Sequence, residues 1–106
     1  MMVANITSRI QLPMKQIEEF CRKHGVAEFS LFGSVLRDDF APDSDVDVLI
    51  DRDPGQPMTI ETYLDMRDEL SAIFGGREID LTQKRLLKNP YRRDEILRTR
   101  QVLYAA

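Results

Sequence analysis

Apolar side chains recur along this chain with two different periods, and the switches between them divide it into elements. Pro13, Ile17, Phe20, Cys21 and His24 follow a three-or-four spacing that ends before Gly25. That spacing predicts a first helix, opened by a proline suited to a helix's first turn and stopped by glycine. Val26 to Phe32 carries Phe29, Leu31 and Phe32 and ends abruptly at Gly33-Ser34, which predicts a strand, a tight turn and then a short helix around Val35 to Asp38. A loop containing Pro42 follows. From Asp45 to Ile50 acid and aliphatic residues alternate, a strand period with one chemically unusual face. Asp51 to Pro57 holds two prolines and a glycine and reads as a loop. A helical period resumes from Thr59 through Ile60, Tyr63, Leu64, Leu70, Ile73 and Phe74 and stops at Gly75-Gly76. Glu78 to Thr82 predicts a brief third strand, and Asn89-Pro90 opens a last helix with expected buried positions at Ile96, Leu97, Val102 and Leu103. The expected fold is mixed α/β, with neither repeats nor low-complexity linkers.

Composition narrows the class without disturbing this picture. At 106 residues the chain has the size of one ordinary domain, so a single domain spanning 1–106 is expected. Hydrophobic residues make up 42% and charged residues 31%, which excludes a disordered polyelectrolyte and a membrane protein. No stretch approaches the roughly 20 apolar residues needed to cross a bilayer. Arg9, Lys15, Glu18, Glu19, Arg22 and Lys23 interrupt the first part of the chain, so no signal peptide is expected either. The lone Cys21 can form neither an internal disulfide nor a zinc site, and it falls on the first helix's apolar stripe as a small buried thiol. Reducing cytoplasm is the expected compartment. His24, alone near a helix end, reads as a cap or packing residue.

Charge is distributed unevenly. Residues 1–83 carry 8 basic and 16 acidic side chains, whereas residues 84–106 carry 7 and 2, so an acidic body is followed by a basic tail. Lys84, Arg85, Lys88, Arg92, Arg93, Arg98 and Arg100 are therefore expected to meet the body's own acidic site, a phosphate-bearing ligand or a partner surface, the plain alternative being a solvated helix face. Direct nucleic-acid binding is disfavoured, because the whole chain is acidic and no run interleaves basic with aromatic residues.

Candidate chemistry is concentrated between Leu31 and Asp51. On a strand, Asp45 and Asp47 leave the same face with alpha carbons roughly 6.7 Å apart. At roughly 5 Å and an effective dielectric near 20, two such charges repel by about 3 kcal/mol, which a bound hard cation such as magnesium or manganese would remove. A solvated edge strand is the plainer alternative. Gly33-Ser34, between a strand and a helix, presents backbone amides as an anion seat, although such a pair is also an ordinary turn. Arg37, one turn on, could touch the same phosphates or pair with Asp38. Asp80, in the other short strand with an acid among apolar residues, is a candidate third carboxylate or a base for an acceptor's proton. Polyphosphate between such a seat and a carboxylate-bound metal is arranged for phosphoryl or nucleotidyl transfer. The run Asp43, Asp45, Asp47 imitates a calcium loop but has Val48 and Pro54 where glycine and glutamate are required.

Taken jointly, Gly33-Ser34, Arg37, Ser44-Asp45, Asp47 and Asp80 resemble the signature of the DNA polymerase beta-like nucleotidyltransferase superfamily in its short form, the minimal nucleotidyltransferase family. The resemblance runs from the first helix to the last and departs from the common pattern at Asp38, where glycine is usual. It implies a small mixed sheet flanked by helices. It further implies a nucleotide site drawing on Gly33, Ser34, Arg37 and Ser44, two magnesium ions on Asp45 and Asp47, and Asp80 as the activating third carboxylate. Short members of this kind accompany a helical HEPN-domain toxin as its antitoxin, so the resemblance implies transfer of AMP from ATP to a toxin tyrosine, neutralisation by complex formation, or both. Two other readings stand beside it: a non-catalytic binding antitoxin or regulatory subunit, and a nucleotidyltransferase acting alone on a small molecule.

Overall fold

The computed structural model describes residues 12–37, 40–41 and 43–106. Helix α1, Met14–His24, buries Ile17, Phe20 and Cys21 and ends where Gly25 turns left-handed at φ 67°. The amide of Gly25 returns to the Cys21 carbonyl, and Arg52 Nε donates to the His24 carbonyl at 2.9 Å, so orphan acceptors at the helix end are satisfied. Burial pushes the Cys21 thiol up to about 12, with Glu18 adding to the shift, which makes this sulfur an inert packing group.

Strand β1, Val26–Phe32, leads into one 3₁₀ turn, Gly33–Leu36. Strand β2 covers Val46–Arg52, helix α2 Ile60–Ile73 and strand β3 Ile79–Gln83. A second 3₁₀ turn, Lys84–Leu86, precedes helix α3, Pro90–Thr99, and strand β4, Gln101–Ala105. Thr59 caps α2 by accepting from Thr62 N at 3.1 Å, and Asn89 caps α3 by accepting from Tyr91 N and Arg92 N at 3.0 and 3.1 Å. The sheet has the order β3-β2-β1-β4, with β2 and β3 parallel and the other two pairings antiparallel.

Alternation along each strand sorts side chains to two faces. Phe29, Leu31, Val46, Val48, Ile50, Ile79 and Leu81 enter the main core, together with Ile17 and Phe20 of α1 and Met66 and Leu70 of α2. On the other face a smaller cluster of Phe32, Leu49, Leu87 and Ile96, with Leu97 against it, seats α3.

Four expectations need correction. The helix expected around Val35 to Asp38 is instead the 3₁₀ turn at Gly33–Leu36, and Asp38 lies outside the described residues, as does Pro42. The Asp45-to-Ile50 strand begins at Val46 and continues to Arg52, because Arg52 pairs with Val26 and lengthens the ladder into what reads locally as loop. Strand β3 is shifted one residue from Glu78–Thr82. The last helix ends at Thr99, so Val102 and Leu103 belong to a fourth strand on the free edge of β1. There Leu103 enters the main core and Tyr104 packs against it.

The basic tail is partly spent inside the molecule. Arg100 Nη2 and Lys84 Nζ reach Glu28 at 2.7 and 3.3 Å, and Arg93 Nη1 donates to the Lys84 carbonyl at 3.0 Å. Burial works to raise the Glu28 carboxyl, but the Arg100 and Lys84 contacts outweigh it and hold it below the usual range. No helix among the described residues is long and apolar enough to cross a membrane.

Candidate active site

Asp47 lies between Val46 and Val48, both buried in the main core, so it must emerge on the opposite face beside Leu49. Asp80 lies likewise between Ile79 and Leu81. The parallel register pairs Asp47 with Asp80, in strands about 4.8 Å apart, and the antiparallel register pairs Asp47 with Phe32. The end of β1 therefore delivers Gly33-Ser34 directly onto Asp47. Ser34 donates to Asp47 Oδ2 twice, from its amide at 3.2 Å and from its hydroxyl at 3.4 Å. The same hydroxyl is 3.1 Å from the Asp45 carbonyl oxygen, which ties the turn to the residue just before β2.

Gly33 is required here on two counts. Its φ is 70°, and a Cβ built on it would stand 2.3 Å from Asp47 Oδ2. Only glycine lets the turn approach the carboxylate this closely.

Asp47 carries an electrostatic load. Burial raises its carboxyl above the ordinary value, the neighbouring Asp80 raises it further, and the two Ser34 donors offset only part of this. Asp45 and Asp80 are exposed at the same end of the sheet. Hard oxygen donors and mutual repulsion at Asp47 and Asp80 fit a divalent cation such as magnesium. Among the described residues no three acidic, histidine or cysteine side chains already converge on one point, so phosphate oxygens and water would complete its shell.

The seat at Gly33-Ser34 opens a single 3₁₀ turn, so it offers amides without an extended helix dipole. Arg37 is exposed just beyond that turn and lines a cleft of about 240 Å³ together with Phe32, Gly33, Leu36, Glu95, Ile96 and Thr99. The Ser44 hydroxyl, next to Asp45 in the chain, accepts from Ala41 N at 2.9 Å within its own turn. His24 packs on Phe20 with ring centroids 4.7 Å apart and bonds Glu69 at 3.0 Å, a structural role. Sequence reasoning missed Arg77, whose guanidinium holds the loop before Asp45; a single arginine ahead of a short strand carries no periodic or motif signal.

Residues 13–103 match the family described as nucleotidyltransferase domain. The chain is 30% identical over 86 residues to a "Putative protein adenylyltransferase" of Methanocaldococcus jannaschii, across 74% of this chain and 85% of that one. It is 33% identical over 72 residues to the protein adenylyltransferase MntA of Thermococcus cleftensis, across 68% of this chain and 70% of that one. Among solved structures, a chain from a toxin–antitoxin crystal structure with AMP-PNP superposes with TM-score 0.70, covering 90% of this chain and 75% of that chain at 15% identity, a likeness of fold.

Proposed function

This chain belongs to the nucleotidyltransferase domain family, and from that premise we propose that it is a magnesium-dependent protein adenylyltransferase serving as a cytoplasmic antitoxin. In this reading one domain over residues 1–106 transfers AMP from ATP to a tyrosine of a HEPN-domain toxin. The observation that carries it is the pairing of Asp47 with Asp80 across β2 and β3, directly under Gly33-Ser34. Relatives named as protein adenylyltransferases support the choice of AMP and of a protein acceptor, and the similar toxin–antitoxin chain solved with AMP-PNP supports ATP and a toxin partner.

Each residue has a role in this proposal. Asp45, Asp47 and Asp80 would hold two magnesium ions, and Asp80 would also serve as the base that takes the acceptor hydroxyl's proton. When bound, magnesium supplies neutralisation of charge on the phosphates and the acids. Gly33 opens the space that the triphosphate and Asp47 would share, and the Gly33-Ser34 turn would seat the phosphates while Ser34 keeps Asp47 in place. Arg37, at the mouth of the neighbouring cleft, adds a cation for the same phosphates, and Ser44 keeps the loop before Asp45 in its turn. In-line attack of the acceptor oxygen on the α-phosphorus would form the new oxygen–phosphorus bond as the bond to the α,β-bridging oxygen breaks, so that the adenylyl group moves to the acceptor, pyrophosphate leaves and the acceptor's proton passes to Asp80.

The test incubates the purified chain with alpha-labelled ATP and magnesium, with and without the helical protein encoded beside it, and weighs both chains by mass spectrometry. A gain of one AMP on the partner, abolished by Asp45→Asn with Asp47→Asn, is the expected result. A tight complex without transfer under any metal would reduce the chain to a binding antitoxin on an enzyme fold. Label appearing on an added aminoglycoside with no partner present would make it a small-molecule enzyme.

A further inference from the structure

Arg77 leaves the segment just before β3 and reaches back over the loop that ends at Asp45. Its Nη1 donates to the Ala41 carbonyl at 3.1 Å and to the Ser44 carbonyl at 3.0 Å, and its guanidinium carbon lies 4.6 Å from the centroid of the Phe40 ring. The next residue, Glu78, accepts from the Val46 amide at 2.9 Å. Asp45 is therefore bracketed along the backbone. The carbonyl before it is held by Arg77, its own carbonyl by Ser34, and the amide after it by Glu78.

This bracket matters because Asp45 is exposed and precedes the first residue of β2, so no sheet ladder places it. Asp47 and Asp80 need no such help, since their strands pair them. The segment that supplies the clamp also delivers Asp80 three residues later, and it is pinned to α2 by Ser71 Oγ donating to the Arg77 carbonyl at 2.7 Å. One short stretch thus sets both the outer acids. A guanidinium suits the task because its planar fork can donate to carbonyls while its face lies on an aromatic ring.

We propose that Arg77 is a positioning residue for nucleotidyl transfer, holding Asp45 at a fixed place relative to Asp47 and Asp80. The proposal rests on Asp45 being a functional acid, as argued above. Misplacing one acid by about 1 Å disturbs metal and phosphate geometry together, and removing a residue that supports a metal ligand typically costs about 10- to 100-fold in metal affinity or activity.

The experiment compares the full-length chain with Arg77→Met, which keeps the apolar stem and loses the donors, and with Asp45→Asn. Three readouts are taken: amide hydrogen exchange over residues 43–46, manganese titration by electron paramagnetic resonance with AMP-PNP present, and the kcat and KM of transfer to the partner. Arg77→Met is expected to exchange faster at the Val46 amide. It should also bind manganese about 10- to 100-fold more weakly, as Asp45→Asn does, and lower kcat by a similar factor while KM for ATP stays within about twofold. Unchanged exchange overturns the clamp whatever the metal does. Faster exchange with unchanged manganese affinity and kcat makes Arg77 purely structural, and a rise in KM for ATP alone makes it a nucleotide contact, either of which overturns the proposal. A wild-type chain that neither binds manganese nor transfers AMP, with the loop loosened in Arg77→Met, removes the nucleotidyl reading and the positioning role with it. Should Arg77→Met fail to fold, Arg77→Gln, which is uncharged and about two bonds shorter, is read in the same way.

Discussion

Glu28 and Asp47 are both partly buried carboxylates on the α3 side of the sheet, at opposite ends of it, and their surroundings drive them in opposite directions. At Glu28, burial opposes ionisation, but Arg100 and Lys84 from the tail more than compensate. At Asp47, burial is reinforced by a second acid, and the offset among the described residues is two hydrogen bonds from Ser34. A fold able to bring two cations to one acid has left the other facing Asp80. The difference separates a carboxylate that serves the fold from one that charges the fold for a function, since the free energy withheld at Asp47 is what a cation or a phosphate-bound metal can recover on binding.

The sharpest way to break this contrast is Asp47→Asn. Transfer is expected to fall by at least about 100-fold, a typical loss for a preorganised electrostatic group, measured per folded molecule. Stability should move the other way. The folded-state carboxyl is raised above its ordinary 3.8, so ionisation weakens the native state once the pH exceeds that value. Asp47→Asn should therefore melt higher than wild type at pH 7, and the gain should vanish as the pH falls below the unfolded-state value. A variant that melts lower at every pH would show that the Ser34 hydrogen bonds dominate.

Glu28→Gln is the mirror experiment. It strands Arg100 and Lys84 beside a neutral amide and is expected to cost about 1.5–3 kcal/mol, as for hydrogen bonds to charged groups. Because the folded carboxyl is lowered from 4.5, its contribution is present above that pH and disappears as the pH falls through the folded value. Urea unfolding of both variants from pH 7 to pH 3 should thus give destabilisation for Glu28→Gln and stabilisation for Asp47→Asn, converging at low pH. Activity per folded molecule should survive in Glu28→Gln.

Gly33→Ala probes the join between turn and acid. A side chain at φ 70° costs about 1–2 kcal/mol, and its Cβ would meet Asp47 Oδ2 at 2.3 Å, so both melting temperature and transfer should drop. The smallest effect is expected at Ser30, which lies between the two acids on the same face, fully buried with its hydroxyl unpartnered. Ser30→Ala removes that orphan group and should leave stability within about 0.5 kcal/mol of wild type or slightly above it. A loss of 2 kcal/mol or more would reveal a partner for the hydroxyl.

Several boundaries were readable locally because the residues that make them act on their own backbone. Gly25 ends α1, while Thr59 and Asn89-Pro90 open α2 and α3, each through a cap or turn that needs no distant partner. The alternation around Asp47 was readable for a similar reason, since a period of two assigns opposite faces before any partner strand is known. Strand β4 was not. Arg100 leaves the helix with ψ 153° and no glycine or proline to announce it, and Gln101–Ala105 becomes a strand because β1 offers a free edge and Glu28 draws in Arg100 from 72 residues away. Arg77 was invisible for the same reason, its partners at Ala41 and Ser44 being 36 and 33 residues distant.

The amino-acid sequence by itself determined the α/β class, the apolar faces, most helix ends, and the separate presence of a Gly-Ser turn and three acids. Each of these follows from local conformational preference or from a two- or 3.6-residue period. Only the tertiary structure decided that Asp47 faces Asp80, that Gly33 meets Asp47 Oδ2, that Ser44 turns into its own loop, and that the tail's cations settle on Glu28. Those outcomes depend on strand order, register and charge pairing between distant segments, which are selected by burying the whole core at once and not by any stretch of chain alone.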